Sequence, residues 1–145
     1  MNCVGLHEPV LIHDLSVESD GSGVGDKLSF GYLFVPDQPE ELQCGELNYV
    51  TALGHDGTTL TLNGSLSRND QGDSGAGLDN KAESSRFFGQ LSYPAIRSRA
   101  QSLWLHAGVE HLHIRNEVAG ALAYQDDLAT AHIAATFRQA VWSGL

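Results

Sequence analysis

Several residue groups have types and spacings that chemistry could use. His111 and His113 stand two apart, which on a strand puts both imidazoles on one face. Two imidazoles are part of a zinc ligand set, but zinc takes four ligands. No carboxylate or third histidine is evident on that face, because Glu110 and His106 point the other way. A polar cluster near a loop is expected there, and no metal site. Asp70, Asp73 and Asp79 share a glycine-rich stretch, but neither their spacing nor a closing glutamate makes a calcium loop. Gly72-Asp73-Ser74-Gly75 offers a serine beside a carboxylate, so a hydrolase using Ser74 is one function class to weigh. No Gly-x-Ser-x-Gly elbow occurs anywhere in the chain. Cys3 and Cys44 lack Cys-x-x-Cys spacing, so neither a zinc site nor a redox motif is expected; a single disulfide is the alternative that sequence cannot infer, and two free thiols are the preferred reading. The residues thus imply no catalytic set, no metal and no cofactor.

The elements that would hold these residues are strands. Helical periodicity is poor, while period two recurs. Leu28, Phe30, Tyr32 and Phe34 alternate with Ser29, Gly31 and Leu33. Leu47, Tyr49, Thr51 and Leu53 alternate with Glu46, Asn48, Val50 and Ala52. Leu60, Leu62, Gly64 and Leu66 alternate with Thr59, Thr61, Asn63, Ser65 and Ser67. Phe87, Gly89, Leu91 and Tyr93 lie opposite Arg86, Phe88, Gln90 and Ser92. Leu103, Leu105, Ala107 and Val109 lie opposite Trp104, His106, Gly108 and Glu110. Past Val109 the phase flips to Leu112 and Ile114, which predicts a bulge or a strand end. Ala131, Ile133, Ala135 and Phe137 lie opposite Thr130, His132, Ala134, Thr136 and Arg138. The pattern predicts about six strands, each with one apolar and one polar face.

The links alternate in length. Gly54-His55-Asp56-Gly57 is a tight hairpin turn, and 94–100 is compact. The links over 36–42, 68–84 and 115–127 read as longer and polar. Up-and-down outer-membrane barrels have short turns at one end and long loops at the other. Tyr32, Phe34, Tyr49, Phe87, Tyr93 and Phe137 sit on the apolar faces, several near strand ends, as interfacial rings do. Packing between the two sheets of a soluble sandwich is the alternative.

Composition narrows the classes further. The 145 residues carry 8 Lys plus Arg against 18 Asp plus Glu, a formal charge of -10. So acidic a chain is a poor partner for a phosphate backbone, which argues against nucleic-acid binding. No run of about 18 apolar residues exists, so no transmembrane helix is expected, although a spanning strand needs only about 9–11 residues. The N-terminus has no basic start or apolar core, so no signal peptide is recognised.

Gly23-Val24-Gly25-Asp26-Lys27-Leu28-Ser29 resembles a Gly-Leu-Gly-Asp-x-Leu-Ser stretch of haemolysin secretion/activation proteins, the outer-membrane transporters of two-partner secretion. Gly45-Glu46-Leu47-Asn48-Tyr49 with Leu53-Gly54 is similar to one of that family's strands and its turn. The segment Leu91-Ser92-Tyr93-Pro94-Ala95-Ile96-Arg97-Ser98-Arg99-Ala100-Gln101-Ser102-Leu103 resembles the family's Ser-Tyr-Pro-x-x-Arg-Ser-Arg-x-x-x-Leu turn. Leu105-His106-Ala107-Gly108-Val109 is similar to the strand that follows it. The likeness spans residues 22–138 in the family's order, and residues 1–21 match nothing in it. Full members carry periplasmic POTRA domains and a sixteen-stranded barrel with a Val-Arg-Gly-Tyr/Phe loop motif, none of which this chain holds.

The resemblance therefore implies an all-β antiparallel up-and-down meander, a partial outer-membrane β-barrel over 22–145, with 1–21 unassigned. It implies a conduit and no enzyme, located in the bacterial outer membrane, with a secreted exoprotein such as a haemolysin or adhesin as client. Its partners would be outer-membrane lipid and the missing barrel strands or other copies that close the sheet. Glu46, Asn48, Thr61, Asn63, Ser65, Gln90, Ser92, His106, Glu110, Thr130, His132 and Arg138 would then face the lumen. A soluble β-sandwich binding module is the alternative function.

Overall fold

The computed structural model of the chain describes residues 11–19, 26–34, 42–71 and 80–140. Alternating polar and apolar residues rich in β-branched and aromatic types favour a pleated, half-covered surface. They form β1 (Leu11–Ser19), β2 (Asp26–Phe34), β3 (Leu42–Leu53), β4 (Thr58–Gln71), β5 (Asn80–Arg97), β6 (Gln101–Val118) and β7 (Ala121–Gln139). The seven strands make one antiparallel sheet in the order β1-β2-β3-β4-β5-β6-β7. This is an up-and-down meander, and among the described residues β1 and β7 are its two open edges.

The sheet departs from the sequence reading in three places. First, it has seven strands, because Leu11–Ser19 pairs antiparallel with β2. That strand falls within residues 1–21, which are unassigned because they match nothing in the resembled family. Second, 115–127 is no long loop. β6 and β7 run to a two-residue turn at Ala119-Gly120, with φ of 53° and 74°. Such left-handed pairs match the twist of a hairpin and close it without a loop. Likewise strand pairing continues into 68–71 and 80–84, so only 72–79, outside the described residues, is left between β4 and β5. Third, no bulge follows Val109. The β6 ladder is regular there, and its shifts fall at Pro94/Ile96 and at Asn116/Glu117.

Packing in depth is almost absent. Cys44 is the buried hydrophobic residue, joined by the buried polar Thr51, Thr58 and Ser92. No side chain among the described residues is fully enclosed. The accessible surface is 10620 Å² for 15.6 kDa, where a folded monomer of that mass exposes about 7,200 Å². The excess is the signature of one layer without a second layer against it. Cys44 is also disulfide-bonded, which corrects the expectation of free thiols. Sequence spacing could not show it, because a disulfide depends on Cα separation in space. The chain's other cysteine, Cys3, lies outside the described residues.

Candidate functional site

Cross-strand register assigns every side chain to one of two faces, because partners across a ladder share a face. The rows Glu46–Ser65–Arg86–Leu112, Asn48–Asn63–Phe88–Glu110–Thr130, Thr61–Gln90–Gly108–His132 and Ser92–His106–Ala134 all lie on the same side. Arg138, opposite Ser102, continues that side. The sheet thus gathers all the lumen-facing candidates named from the sequence on one polar face.

These residues are bonded to one another. Asn63 Nδ2 donates to Glu46 Oε1 at 2.8 Å. Arg86 Nε donates to Glu110 Oε1 at 2.6 Å. A longer relay crosses β5, β6 and β7. His132 Nε2 meets Gln90 Oε1 at 3.3 Å, and Gln90 Nε2 donates to Ser92 Oγ at 3.2 Å. Ser92 Oγ meets His106 Nδ1 at 3.0 Å, and His106 Nε2 meets Thr136 Oγ1 at 3.3 Å. A carboxamide oxygen only accepts, so His132 carries its proton on Nε2. The Ser92 oxygen accepts from Gln90, and His106 bridges Ser92 and Thr136 with one ring nitrogen donating and the other accepting.

Arg86, Phe88 and Thr136 belong to this face, yet the sequence did not mark them as functional. The phenyl ring of Phe88 stacks on His132 with centroids 5.9 Å apart and planes 10° from parallel. The Arg86 guanidinium lies 5.8 Å from the same ring's centroid. Their positions in the period-two pattern held the signal, at even numbers beside Gln90 and Ser92. Gly108 makes room for this packing. A Cβ there would stand 2.4 Å from His132 Cε1 and 2.9 Å from the Gly89 carbonyl oxygen. Ser92 and His106 have nucleophile-to-base spacing, but the far nitrogen of His106 meets a threonine hydroxyl where a triad has a carboxylate.

The opposite face is apolar and uncovered. Phe30, Leu47, Leu66, Phe87, Leu91, Tyr93, Leu105, Val109, Ile133 and Phe137 are all exposed. On β5 this band runs from Phe87 to Ile96, about 23 Å for strands tilted about 40°. Charged groups limit it at both ends. At one end, Asp26 accepts from Tyr49 at 3.2 Å and from Thr51. In the adjacent turn, Asp56 accepts from the Thr58 backbone at 3.1 Å and its hydroxyl at 2.9 Å. Those bonds hold the Asp56 carboxyl below its ordinary value. At the other end, Arg68 pairs with Glu83 at 3.6 Å, Lys81 with Asp70 at 3.1 Å, and Arg115 with Glu117.

His111 and His113 also lie at that charged end, and here the structure corrects the sequence. A carboxylate does share their face, since Asp127 on β7 pairs with His113 on β6. Its Oδ1 is 2.6 Å from His113 Nδ1 and 3.9 Å from His111 Nε2. The hydrogen bond from His113, helped by both imidazoles, lowers the Asp127 pKa. Among the described residues no group of three or more side chains is placed to hold a metal ion. Asp73, Ser74 and Asp79 lie outside the described residues.

Comparison of the chain with protein-family models, with curated proteins and with solved structures gives no match.

Proposed function

We propose that this chain is a sector of an outer-membrane β-barrel that conducts a polypeptide across the membrane, and that it is no enzyme. The apolar band faces lipid and the hydrogen-bonded polar face lines an aqueous passage. One observation carries the reading. An exposed apolar face about one hydrocarbon layer tall ends at charged side chains on both sides, while its reverse carries the hydrogen-bonded polar residues. The Cys44 disulfide supports an oxidising compartment, as the bacterial periplasm and cell surface are. Two-partner secretion, with a haemolysin or adhesin as client, rests on the sequence resemblance.

The passage would be lined mainly by neutral acceptors and donors, with Arg86 and Glu110 neutralising each other. Such a wall hydrates an extended chain without holding it by charge. Open edges leave backbone groups unpaired, and each costs several kcal/mol in hydrocarbon, so further strands must close the barrel.

The test is accessibility in the protein as the source cell makes it. Single cysteines replace residues along β6 in turn. Those at Leu105, Ala107 and Val109 are expected to react only with a membrane-soluble maleimide. Those at Trp104, His106 and Glu110 are expected to react with a water-soluble one. Equal labelling of both sets by the water-soluble reagent would overturn the proposal, as would recovery of the protein outside the membrane fraction. Protection of the first set in a soluble fraction would instead support a sandwich.

A further inference from the structure

We infer that the outer edge of β7 is a pairing surface for a second copy of this chain, joined β7 to β7 about a two-fold axis through Ile133. The inference uses the edge alone and does not depend on the membrane reading.

Natural sheets protect exposed edges with proline, lysine, bulges or short strands. β7 has none of the first two: its residues, ALAYQDDLATAHIAATFRQ, include no proline, lysine or glycine. Its register with β6 shifts once, beside Leu122, and then runs unbroken from Tyr124 to Gln139. Along that stretch about half of the backbone N–H and C=O groups point away from β6, with no strand among the described residues to receive them. The side chains are as open as the backbone. All of β7 is exposed except His132, and Ile133, at 89%, is the most exposed large hydrophobic side chain among the described residues.

The pattern of β7 fits its own reverse. An axis through Ile133 normal to the sheet pairs Ala131 with Ala135 of the second copy, and Ala129 with Phe137. Small side chains then meet large ones, and Thr130 meets Thr136. The axis keeps the two apolar faces on the same side, and it passes through the middle of the apolar band, so the bands align. Charges agree as well. Arg138 is exposed and has no ion-pair partner among the described residues. The axis sets it opposite Leu128, diagonal to Asp126 of the second copy on the same face, within reach of a long side chain. Symmetry makes that contact twice. The two copies run in opposite directions, so the pairing belongs to the chain in detergent or buffer and not to a barrel inserted with one orientation.

The test uses the full 145-residue chain in detergent; among its described residues no cysteine is free. Ile133→Cys is treated with a short bismaleimide, and a covalent dimer is expected. Ala129→Cys alone and Phe137→Cys alone should not cross-link, because each lies about 26 Å from its own copy across the axis. Mixed together, those two variants should cross-link. Ile133→Lys should leave the strand circular dichroism intact and give a monomer by light scattering. Arg138→Glu should weaken the dimer about tenfold, and adding Asp126→Arg should restore it. A monomeric wild type would overturn the inference. So would cross-linking of Ala129→Cys to itself, or larger oligomers lacking the Ile133→Cys link.

Discussion

Gly108→Ala asks whether the polar face is a packed lattice or merely a wetted surface. The new methyl would lie 2.4 Å from His132 Cε1 and 2.9 Å from the Gly89 carbonyl oxygen. The imidazole can swing away, but the carbonyl belongs to the neighbouring strand and must be pushed. Overpacking of that kind costs about 1–3 kcal/mol. Displacing His132 also forfeits its stack on Phe88, worth about 0.5–1.5 kcal/mol. Removing a strand glycine returns about 0.5–1 kcal/mol. The net expectation is about 2 kcal/mol of destabilisation. His132→Ala removes the stack and the long Gln90 contact alone, for about 1–2 kcal/mol. The double variant should cost about 2 kcal/mol, less than the sum of the two, since the imidazole is displaced only once. Urea unfolding of the detergent-solubilised chain, followed by far-ultraviolet circular dichroism, reads these costs. A slope of about 2 kcal/mol per molar makes the Gly108→Ala shift about 1 M. A neutral Gly108→Ala, or a double variant that is strictly additive, would refute the reasoning.

In the membrane-inserted protein, Leu62→Arg should cost about 2–4 kcal/mol and Thr61→Arg little, because only the first puts a cation on the lipid side near mid-depth; equal costs in vesicle unfolding would contradict the assignment of faces. Cys44 should titrate with a thiol reagent only after reduction, and Cys44→Ala should lower stability by about 2–4 kcal/mol. Asp56 has a lowered carboxyl, so its contribution is present above the ordinary value of 3.8 and is lost as pH falls through the lower folded value. Acid should therefore loosen the Gly54–Gly57 turn, seen as a smaller amide protection factor at Thr58 relative to its intrinsic exchange rate, and Asp56→Asn should remove that pH dependence.

Much of the sheet was legible because period two is a local signal. The alternation from Leu28 through Phe137 assigned nearly every residue to its face, and ladder pairing then put the polar candidates side by side. What failed was non-local. Arg68, Glu83 and Arg115 read singly as loop residues, but the register sets them in one row, where their charges support strand pairing. The same holds for Asp70, Lys81 and Glu117. Leu15 and Val17 alternate with Asp14, Ser16 and Glu18, a faint strand signal diluted by acidic residues. Asp127 is the carboxylate that His111 and His113 lacked, but it lies across the hairpin turn. The Cys44 disulfide has no local signature at all.

The phase flip after Val109 is the point where these threads meet. Taken alone, it looks like damage to a strand. The ladder instead runs straight through it, and the two faces exchange character. Below it, Leu105, Ala107 and Val109 stand on the apolar side. Above it, His111 and His113 occupy that side and bind Asp127, while Leu112 and Ile114 move to the other. A sheet covered by a second protein layer has no reason to change faces at one height. A sheet leaving a slab of lipid does, because the side that lost hydrocarbon now meets water and must be polar. By register the flip falls in the row of Phe87 and Gly64, four residues short of the charged row Arg68–Glu83–Arg115. The flip and the charged row thus bracket the zone over which this side turns from apolar to polar, and a change of side that recurs on neighbouring strands supports a lipid-facing band more strongly than the hydrophobicity of any one strand.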